Sequence, residues 1–161
     1  MRCALLLLAL AGCKALLNKD QTHEPAPPIG GGTWIWGNAP EQEWKVVTFF
    51  APDSEVSAGE VPRLTALRKE FRARGVTVIA ITRAGKDDAM RFAKAHGVKY
   101  AVLADGSMAF EKWGIGSVNH PPVYLVDPNG WVLAEGYEDC AEILRERLGA
   151  EPEVGGPGGP K

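Results

Sequence analysis

The sequence predicts an α/β fold in which helices flank both faces of a mixed central sheet. Apolar runs typical of buried strands alternate with helical patterns along most of the chain, and such alternation indicates parallel strands joined by helices. Two later apolar runs, 123–126 and 131–134, flank the sequence DPNG at 127–130, which is a strong turn signal. The hairpin that this turn predicts adds antiparallel strands to the parallel ones.

The individual helices and strands follow from local patterns of apolar residues. Val61, Leu64 and Leu67 recur at three-residue spacing, which predicts a helix over 57–74 that ends at Gly75. The predicted strands cover 33–36, 45–50, 76–82, 100–103, 123–126 and 131–134, and further helices are predicted over 87–96, over 108–113 and after the capping residue Asp139.

The first thirteen residues (MRCALLLLALAGC) have the pattern of a targeting segment. Arg2 precedes an apolar run at 4–11 that is too short to span a bilayer as a helix. The segment resembles a bacterial lipoprotein signal, which is cleaved just before a lipid-bearing cysteine. The resemblance implies that residues 1–12 are removed and that Cys13 anchors an exported protein to the bacterial membrane, on its periplasmic side or at the cell surface. An ordinary secretory signal or a mis-assigned start codon is the alternative.

Two irregular segments, 13–32 and 151–161, flank the predicted domain at 33–150. The first segment contains three prolines and a run of three glycines but no apolar periodicity, so we expect a flexible tether. The second segment (EPEVGGPGGPK) has the composition of a disordered tail.

Composition and cysteine count exclude several classes of function. A formal net charge of −2 gives no electrostatic basis for binding nucleic acid. The three histidines are scattered, so we expect no metal site, and no pattern indicates another cofactor. If Cys3 is lost with the targeting segment and Cys13 carries lipid, Cys140 is the thiol that remains, and no intramolecular disulfide can form.

The most informative segment joins the first buried strand to the helix after it. It resembles the active-site segment of thioredoxin-like proteins, specifically the extracytoplasmic TlpA-like thiol–disulfide proteins and the related peroxiredoxin-type redoxins. In the TlpA-like group a Phe-Trp-Ala strand end leads to Cys-x-x-Cys, followed by a glutamate and a proline. This chain has Phe-Phe-Ala at 49–51, Ser54-x-x-Ser57, Glu60 and Pro62 without a gap. Hydroxyls therefore stand where the resemblance places both sulfurs.

A second segment carries the same resemblance, which covers 45–148 as a whole. The TlpA-like group has Val-Pro-Thr-Thr-Phe-Leu-Ile-Asp with a cis-proline, and this chain has HPPVYLVD at 120–127. The resemblance therefore places Pro121 at the cis-proline position, on the rim of the site. In active relatives this loop pairs with a bound polypeptide, which implies that His120 and Pro121 bind a partner. The alternative is that they only shape the fold.

The residues at the site do not provide the chemistry of dithiol exchange. Exchange needs a thiolate, whereas a serine hydroxyl is a weak nucleophile without a neighbouring base and cannot form a disulfide. We expect Asp53 and Ser54 to cap the following helix. We expect Glu60 to have a helix-surface or capping role, because there is no thiol for it to tune. The peroxiredoxin motif Pro-x-x-x-Thr-x-x-Cys also fails, since Val56 and Gly59 occupy its threonine and cysteine positions.

Cys140 is the remaining thiol candidate. It follows Asp139 in the last predicted helix, where neighbouring carboxylates oppose the thiolate, and the resemblance places the start of that helix away from the site. We expect an unreactive thiol, so the favoured function is that of a membrane-tethered envelope protein that binds a protein or polypeptide segment without dithiol catalysis. The alternative is a thiol–disulfide oxidoreductase or antioxidant redoxin that uses Cys140, or whose native cysteines at 54 and 57 were mutated to serine.

Overall fold

The computed structural model describes residues 24–149 of the chain. This part contains seven β-strands and four α-helices. The strands are β1 (Glu24–Pro25), β2 (Thr33–Trp36), β3 (Trp44–Phe49), β4 (Val76–Ile81), β5 (Ala101–Ala104), β6 (Val123–Val126) and β7 (Trp131–Glu135). The helices are α1 (Glu55–Phe71), α2 (Lys86–Ala95), α3 (Ser107–Lys112) and α4 (Tyr137–Leu148). The predicted targeting segment, Cys13 and the predicted tail lie outside the described residues.

All seven strands of the described range form one sheet, in the order β1-β7-β6-β3-β4-β5-β2. β3 pairs in parallel with β4, and β4 pairs in parallel with β5. The other neighbouring strands are antiparallel, including the β6–β7 hairpin, whose turn is residues 127–130. The mixed sheet that the alternating pattern and the hairpin signal predict is confirmed.

Helices cover both faces of the sheet, which is also as predicted. α1, α2 and α4 pack on one face and bury a cluster that includes Leu67, Phe92 and Leu144. α3 packs on the opposite face, where Phe110 contacts a second cluster that includes Ile79. Successive side chains of a strand point to opposite faces, so the central strands contribute to both clusters.

The bounds of α1 and the cap of α4 differ from their predictions. α1 begins at Glu55, two residues earlier than predicted, and the 3-10 turn Arg72–Arg74 replaces its last predicted turn. Gly75 ends this segment with a φ of 73°, in the left-handed region that glycine adopts without strain. Asp139 lies in the first turn of α4 and does not cap it, because Gly136, with a φ of 100°, turns the chain from β7 directly into the helix.

The prediction of a flexible tether is wrong for residues 24–32. β1 pairs with β7 through the register Pro25↔Trp131, and the Ala26 amide donates to the Gly130 carbonyl at 2.8 Å. Proline and glycine indicate irregular backbone. An irregular segment that packs on a sheet can have the same composition as a flexible segment that packs on nothing, so composition does not distinguish the two. Residues 24–32 are therefore part of the folded domain.

The segment between β1 and β2 (residues 26–32, here named the strap) crosses one face of the sheet from edge to edge. β1 and β2 are the two outermost strands, and six strand spacings of about 4.8 Å separate them. Eight residue steps connect Pro25 to Thr33, and the chain bends at Gly31 before it enters β2. Ala26 and Ile29 of the strap pack on the cluster beside α3.

Glycine is required where the strap meets β5 and α3. A Cβ on Gly32 would lie 2.1 Å from the Ala104 carbonyl oxygen, which is too close for any side chain. Gly31 has a φ of 76°, and a Cβ there would collide with Met108. The glycine run is therefore a site of close packing.

We expect Ile29→Asp to lower the free energy of unfolding by about 2 kcal/mol, because it places a carboxylate against an apolar cluster. The neighbouring Pro28 is exposed, so Pro28→Asp is the matched control and should cost less than about 1 kcal/mol. Urea unfolding followed by tryptophan fluorescence measures both variants. Equal, small losses in the two variants would mean that the strap is a loose tether.

Candidate functional site

The loop between β3 and α1 forms a tight turn at the carboxyl end of the parallel strands. The Phe50 amide donates to the Ile81 carbonyl at 2.9 Å, which holds the start of the loop to β4. The Ser54 amide donates to the Ala51 carbonyl at 3.1 Å and closes the turn. Loops at this edge of an α/β sheet are the usual location of binding sites.

Two serine hydroxyls hold the first turn of α1. Ser54 has extended backbone angles (φ −98°, ψ 121°), and its Oγ accepts a hydrogen bond from the Ser57 amide at 3.3 Å. Ser57 is buried, and its Oγ accepts from the Ala51 amide at 3.2 Å. The prediction that Ser54 caps the helix is confirmed, whereas Asp53 is exposed and is not the cap. Each hydroxyl therefore satisfies a backbone amide of the turn.

Three residues that the sequence indicates as site residues, Ser57, Glu60 and Pro121, line one small cavity. The cavity lies between α1 and the sheet and has a volume of about 10 Å³. Thr48 of β3 and Tyr100 contribute further polar groups, and the rest of the lining is apolar. The fold therefore brings the second serine and the Pro121 loop to the same place.

Glu60 forms an ion pair on the surface of α1, which agrees with its expected role. Its carboxylate accepts a hydrogen bond from Arg63 at 3.2 Å, and Arg63 also donates to Glu138 of α4 at 2.6 Å. The Arg63 guanidinium lies 4.2 Å from the centroid of the Tyr137 ring.

Burial, together with a smaller contribution from Glu60, raises the pKa of the Tyr100 phenol.

The loop that precedes β6 carries His120 and Pro121. His120 is exposed, and Pro121 is half-buried against the cavity. The expectation of a cis bond at Pro121 is wrong, because every peptide bond within residues 24–149 is trans. The isomers of an X-Pro bond differ by only about 0.5–1 kcal/mol, so a position in a motif does not determine the isomer.

Arg83, which the sequence pattern does not indicate, holds the start of this loop. Its guanidinium donates to the Ile115 carbonyl at 2.8 Å and to the Gly116 carbonyl at 3.1 Å. The same group lies 4.3 Å from the centroid of the Phe110 ring. Because Arg83 lies two residues beyond β4, these contacts connect the carboxyl end of the sheet to the segment that leads to Pro121.

A larger, open groove of about 560 Å³ also borders the turn. Pro52 and Asp53 of the turn line it together with Asp88, Arg91 and His96. Arg91 pairs with Asp88 at 3.0 Å on the exposed side of α2. His96 is exposed at the end of that helix.

Cys140 is buried in the first turn of α4. Its Sγ lies 3.8 Å from the Val123 carbonyl oxygen and 3.9 Å from the Ala134 carbonyl oxygen. Burial, with a smaller contribution from Asp139, raises the pKa of the thiol to about 12, so the thiol is protonated at neutral pH. Both findings agree with an unreactive thiol.

The expectation that α4 starts away from the site is wrong. β7 is antiparallel to β6, and β6 is antiparallel to β3. β3 and β7 therefore run in the same direction, and their carboxyl ends lie at the same end of the sheet. α4 therefore begins at that end of the sheet, where the Gly136 amide donates to the Val123 carbonyl at 2.7 Å. Cys140 is nevertheless fully buried within the core.

Thr48 and Tyr100 are further residues that sequence reasoning missed. Thr48 is a polar residue inside the apolar run 46–50, and a polar side chain in a buried strand is the signal that could have found it. Tyr100 precedes β5 directly, and its burial follows from the position of that strand in the sheet.

The described part of the chain has hydroxyl groups at this site but no exposed thiol. Among residues 24–149, no group of three or more His, Cys, Asp and Glu side chains is placed to hold a metal ion. None of the described helices is long and apolar enough to cross a membrane. The two serine hydroxyls hold the start of α1, and His120 is exposed on the neighbouring loop.

The chain matches the model of the AhpC/TSA family over residues 29–134. A similar solved structure is the thioredoxin domain of a thiol-disulfide oxidoreductase from Bacteroides vulgatus, with 19% identity, a TM-score of 0.66, and coverage of 79% of this chain and 97% of that one. A thioredoxin family thiol:disulfide interchange protein from Chlorobium tepidum has 21% identity, a TM-score of 0.63 and coverage of 81% and 99%. A PrxQ cysteine-to-serine mutant from Xylella fastidiosa has 14% identity, a TM-score of 0.58 and coverage of 67% and 79%.

These similarities support one fold and one family. No curated protein sequence matches the chain. The solved structures are less than 25% identical to it and therefore show the fold alone, which is thioredoxin-like. The family model covers more than half of the chain and includes the turn with Ser54 and the loop with Pro121. The chain belongs to the AhpC/TSA family of redoxins.

Proposed function

We propose that this protein is a membrane-tethered redoxin of the cell envelope that binds polypeptide and has lost dithiol–disulfide exchange. One observation carries the proposal. Ser54 and Ser57, which the sequence resemblance places at the cysteine positions of TlpA-like proteins, use their hydroxyl oxygens to accept hydrogen bonds from backbone amides. Neither side chain can provide a thiolate, and both already hold the turn in place.

The surface around the turn supports a binding role. Val56, at the exposed start of α1, is 48% exposed although it is apolar. The exposed His120 is followed by Pro121, which borders the same cavity as Ser57. An extended polypeptide is recognised through backbone hydrogen bonds and small apolar contacts, and Val56 and Pro121 offer apolar surface for such contacts.

The contacts of Arg83 support a loop that is already in place before a partner arrives. They fix the carbonyls of Ile115 and Gly116, five and four residues before His120. A loop that is fixed in the free protein loses less conformational entropy on binding than a mobile loop. We infer that Arg83 is a positioning residue for the segment that ends at Pro121.

Membrane tethering is the part of the proposal that rests on the sequence. The targeting segment resembles a lipoprotein signal with Cys13 as the anchored residue. Ten residues, 14–23, separate Cys13 from the start of β1 at Glu24. A segment of this length spans at most about 40 Å, so a lipid at Cys13 would keep the domain close to the membrane surface.

Family membership favours a second candidate, a thiol–disulfide oxidoreductase or antioxidant redoxin. Two of the similar structures are thiol–disulfide proteins, and the third is a PrxQ mutant. Cys140 is the thiol within residues 24–149, and its burial and raised pKa oppose nucleophilic attack. A chain whose native cysteines at 54 and 57 had been replaced by serine would also fit this candidate.

Reduction of insulin by dithiothreitol, with peroxide consumption measured in parallel, tests the loss of catalysis. We expect no turnover by the wild type above the uncatalysed rate. Ser54→Cys/Ser57→Cys should raise the rate of insulin reduction at least about tenfold, because a thiol at a helix N-terminus ionises readily.

Cys140→Ser is the control for this assay. Wild-type turnover that disappears in Cys140→Ser would contradict the proposal and support the second candidate. An inactive but folded Ser54→Cys/Ser57→Cys variant would contradict the alignment of the two serines with a cysteine pair.

Fluorescence anisotropy with a labelled, reduced and unfolded polypeptide tests the binding part. We expect Arg83→Ala to raise the Kd about fivefold or more, because the loop would have to be ordered on binding. Arg147→Ala, which changes an exposed arginine of α4, is the control and should leave the Kd unchanged. Thermal unfolding of both variants shows whether the fold persists. A folded wild type that binds no polypeptide would contradict the proposal.

A further inference from the structure

The Oγ1 atom of Thr48 is a buried polar atom without a hydrogen-bond partner among the described residues. Thr48 is 1% exposed on β3, which is the central strand of the sheet. A buried hydroxyl that bonds to nothing destabilises a fold, and native proteins satisfy nearly all such groups with protein atoms or with ordered water. The Thr48 hydroxyl therefore indicates a partner that is not a protein atom.

The Thr48 side chain faces the small cavity beneath α1. It helps to line this cavity together with the polar residues Ser57, Glu60 and Tyr100, and Pro121 closes one side. The remaining lining is apolar: Phe50, Val61, Leu64, Ala80, Phe92, Val98 and Val102. Polar residues from the sheet and from α1 thus line one cavity in largely apolar surroundings.

Two neighbouring hydroxyls can still donate a hydrogen bond into this cavity. Ser57 Oγ accepts from the Ala51 amide, which leaves the hydroxyl hydrogen of Ser57 to be donated elsewhere. The Tyr100 phenol keeps its proton at neutral pH and can both donate and accept. The cavity therefore offers several partners of the kinds that a water molecule needs.

We propose that the cavity between α1 and the sheet is a binding site for one water molecule that bridges the hydroxyls of Thr48 and Ser57. A volume of about 10 Å³ is close to what a single water requires. A dry cavity is typical of apolar linings, and this lining contains a hydroxyl that would otherwise stay unpaired.

The water gives Ser57 a second structural contact. Ser57 holds the turn through the Ala51 amide, and through the water it is joined to Thr48 on β3. The site also borders Pro121, so the water lies beneath the loop proposed to bind polypeptide. The inference does not depend on that function, because it rests on the burial and pairing of Thr48.

A crystal structure of the wild type at about 1.5 Å resolution tests the site directly. We expect electron density for one water within about 3.2 Å of both Thr48 Oγ1 and Ser57 Oγ. An empty cavity, or a water that contacts only one of the two hydroxyls, would overturn the proposal.

Thr48→Val gives an independent test, because it removes the hydroxyl and keeps the shape of the side chain. Loss of a hydroxyl that binds water should lower the folded-to-unfolded ratio in urea about tenfold. Thr82→Val is the matched control, since buried Thr82 Oγ1 accepts from the Ala84 amide at 3.2 Å and should show a similar loss. A ratio that is unchanged or higher in Thr48→Val would mean that the hydroxyl is unpaired. If Thr48→Val does not fold, the wild-type crystal structure decides.

Discussion

The start of α1 depends on the hydrogen bonds that Ser54 and Ser57 make to backbone amides. Ser54 Oγ holds the Ser57 amide and Ser57 Oγ holds the Ala51 amide, so the turn and the helix fix each other. This arrangement buries Ser57 beneath the helix and leaves Val56 exposed beside it. A hydroxyl is a better hydrogen-bond acceptor than a thiol. Serine at both positions therefore favours a turn that is firmly held by hydrogen bonds over a turn that carries reactive thiols.

Elements with a strong local pattern can be predicted from the sequence. β6 has its predicted bounds because an apolar run ends at an unambiguous turn. The strap has no such signal, since its folded state depends on contacts with distant residues, such as that of Gly31 with Met108. Prolines and glycines describe the backbone of a segment and do not tell whether the segment has a surface to pack on.

The candidate site is also predictable only in part, because local motifs can be read from the sequence and contacts between distant residues cannot. The spacing of Ser54 and Ser57 and the loop at Pro121 follow from a motif, and the fold brings Ser57 and Pro121 to one cavity. Arg83 has no local signal, because its carbonyl partners lie 32 and 33 residues further along the chain. Family membership thus accounts for the scaffold, while the hydrogen bonds of Ser54 and Ser57 and the contacts of Arg83 belong to the side chains of this chain.

Amide hydrogen exchange at Ala51, followed by NMR in the wild type and in Ser57→Ala, tests the structural role of the serine pair most directly. We expect slow exchange in the wild type and exchange at least about tenfold faster in Ser57→Ala, because the variant removes the acceptor of that amide. The Phe50 amide, which donates to the Ile81 carbonyl, is the internal control and should change little. Equally fast exchange of the Ala51 amide in both proteins would contradict a structural role for Ser57.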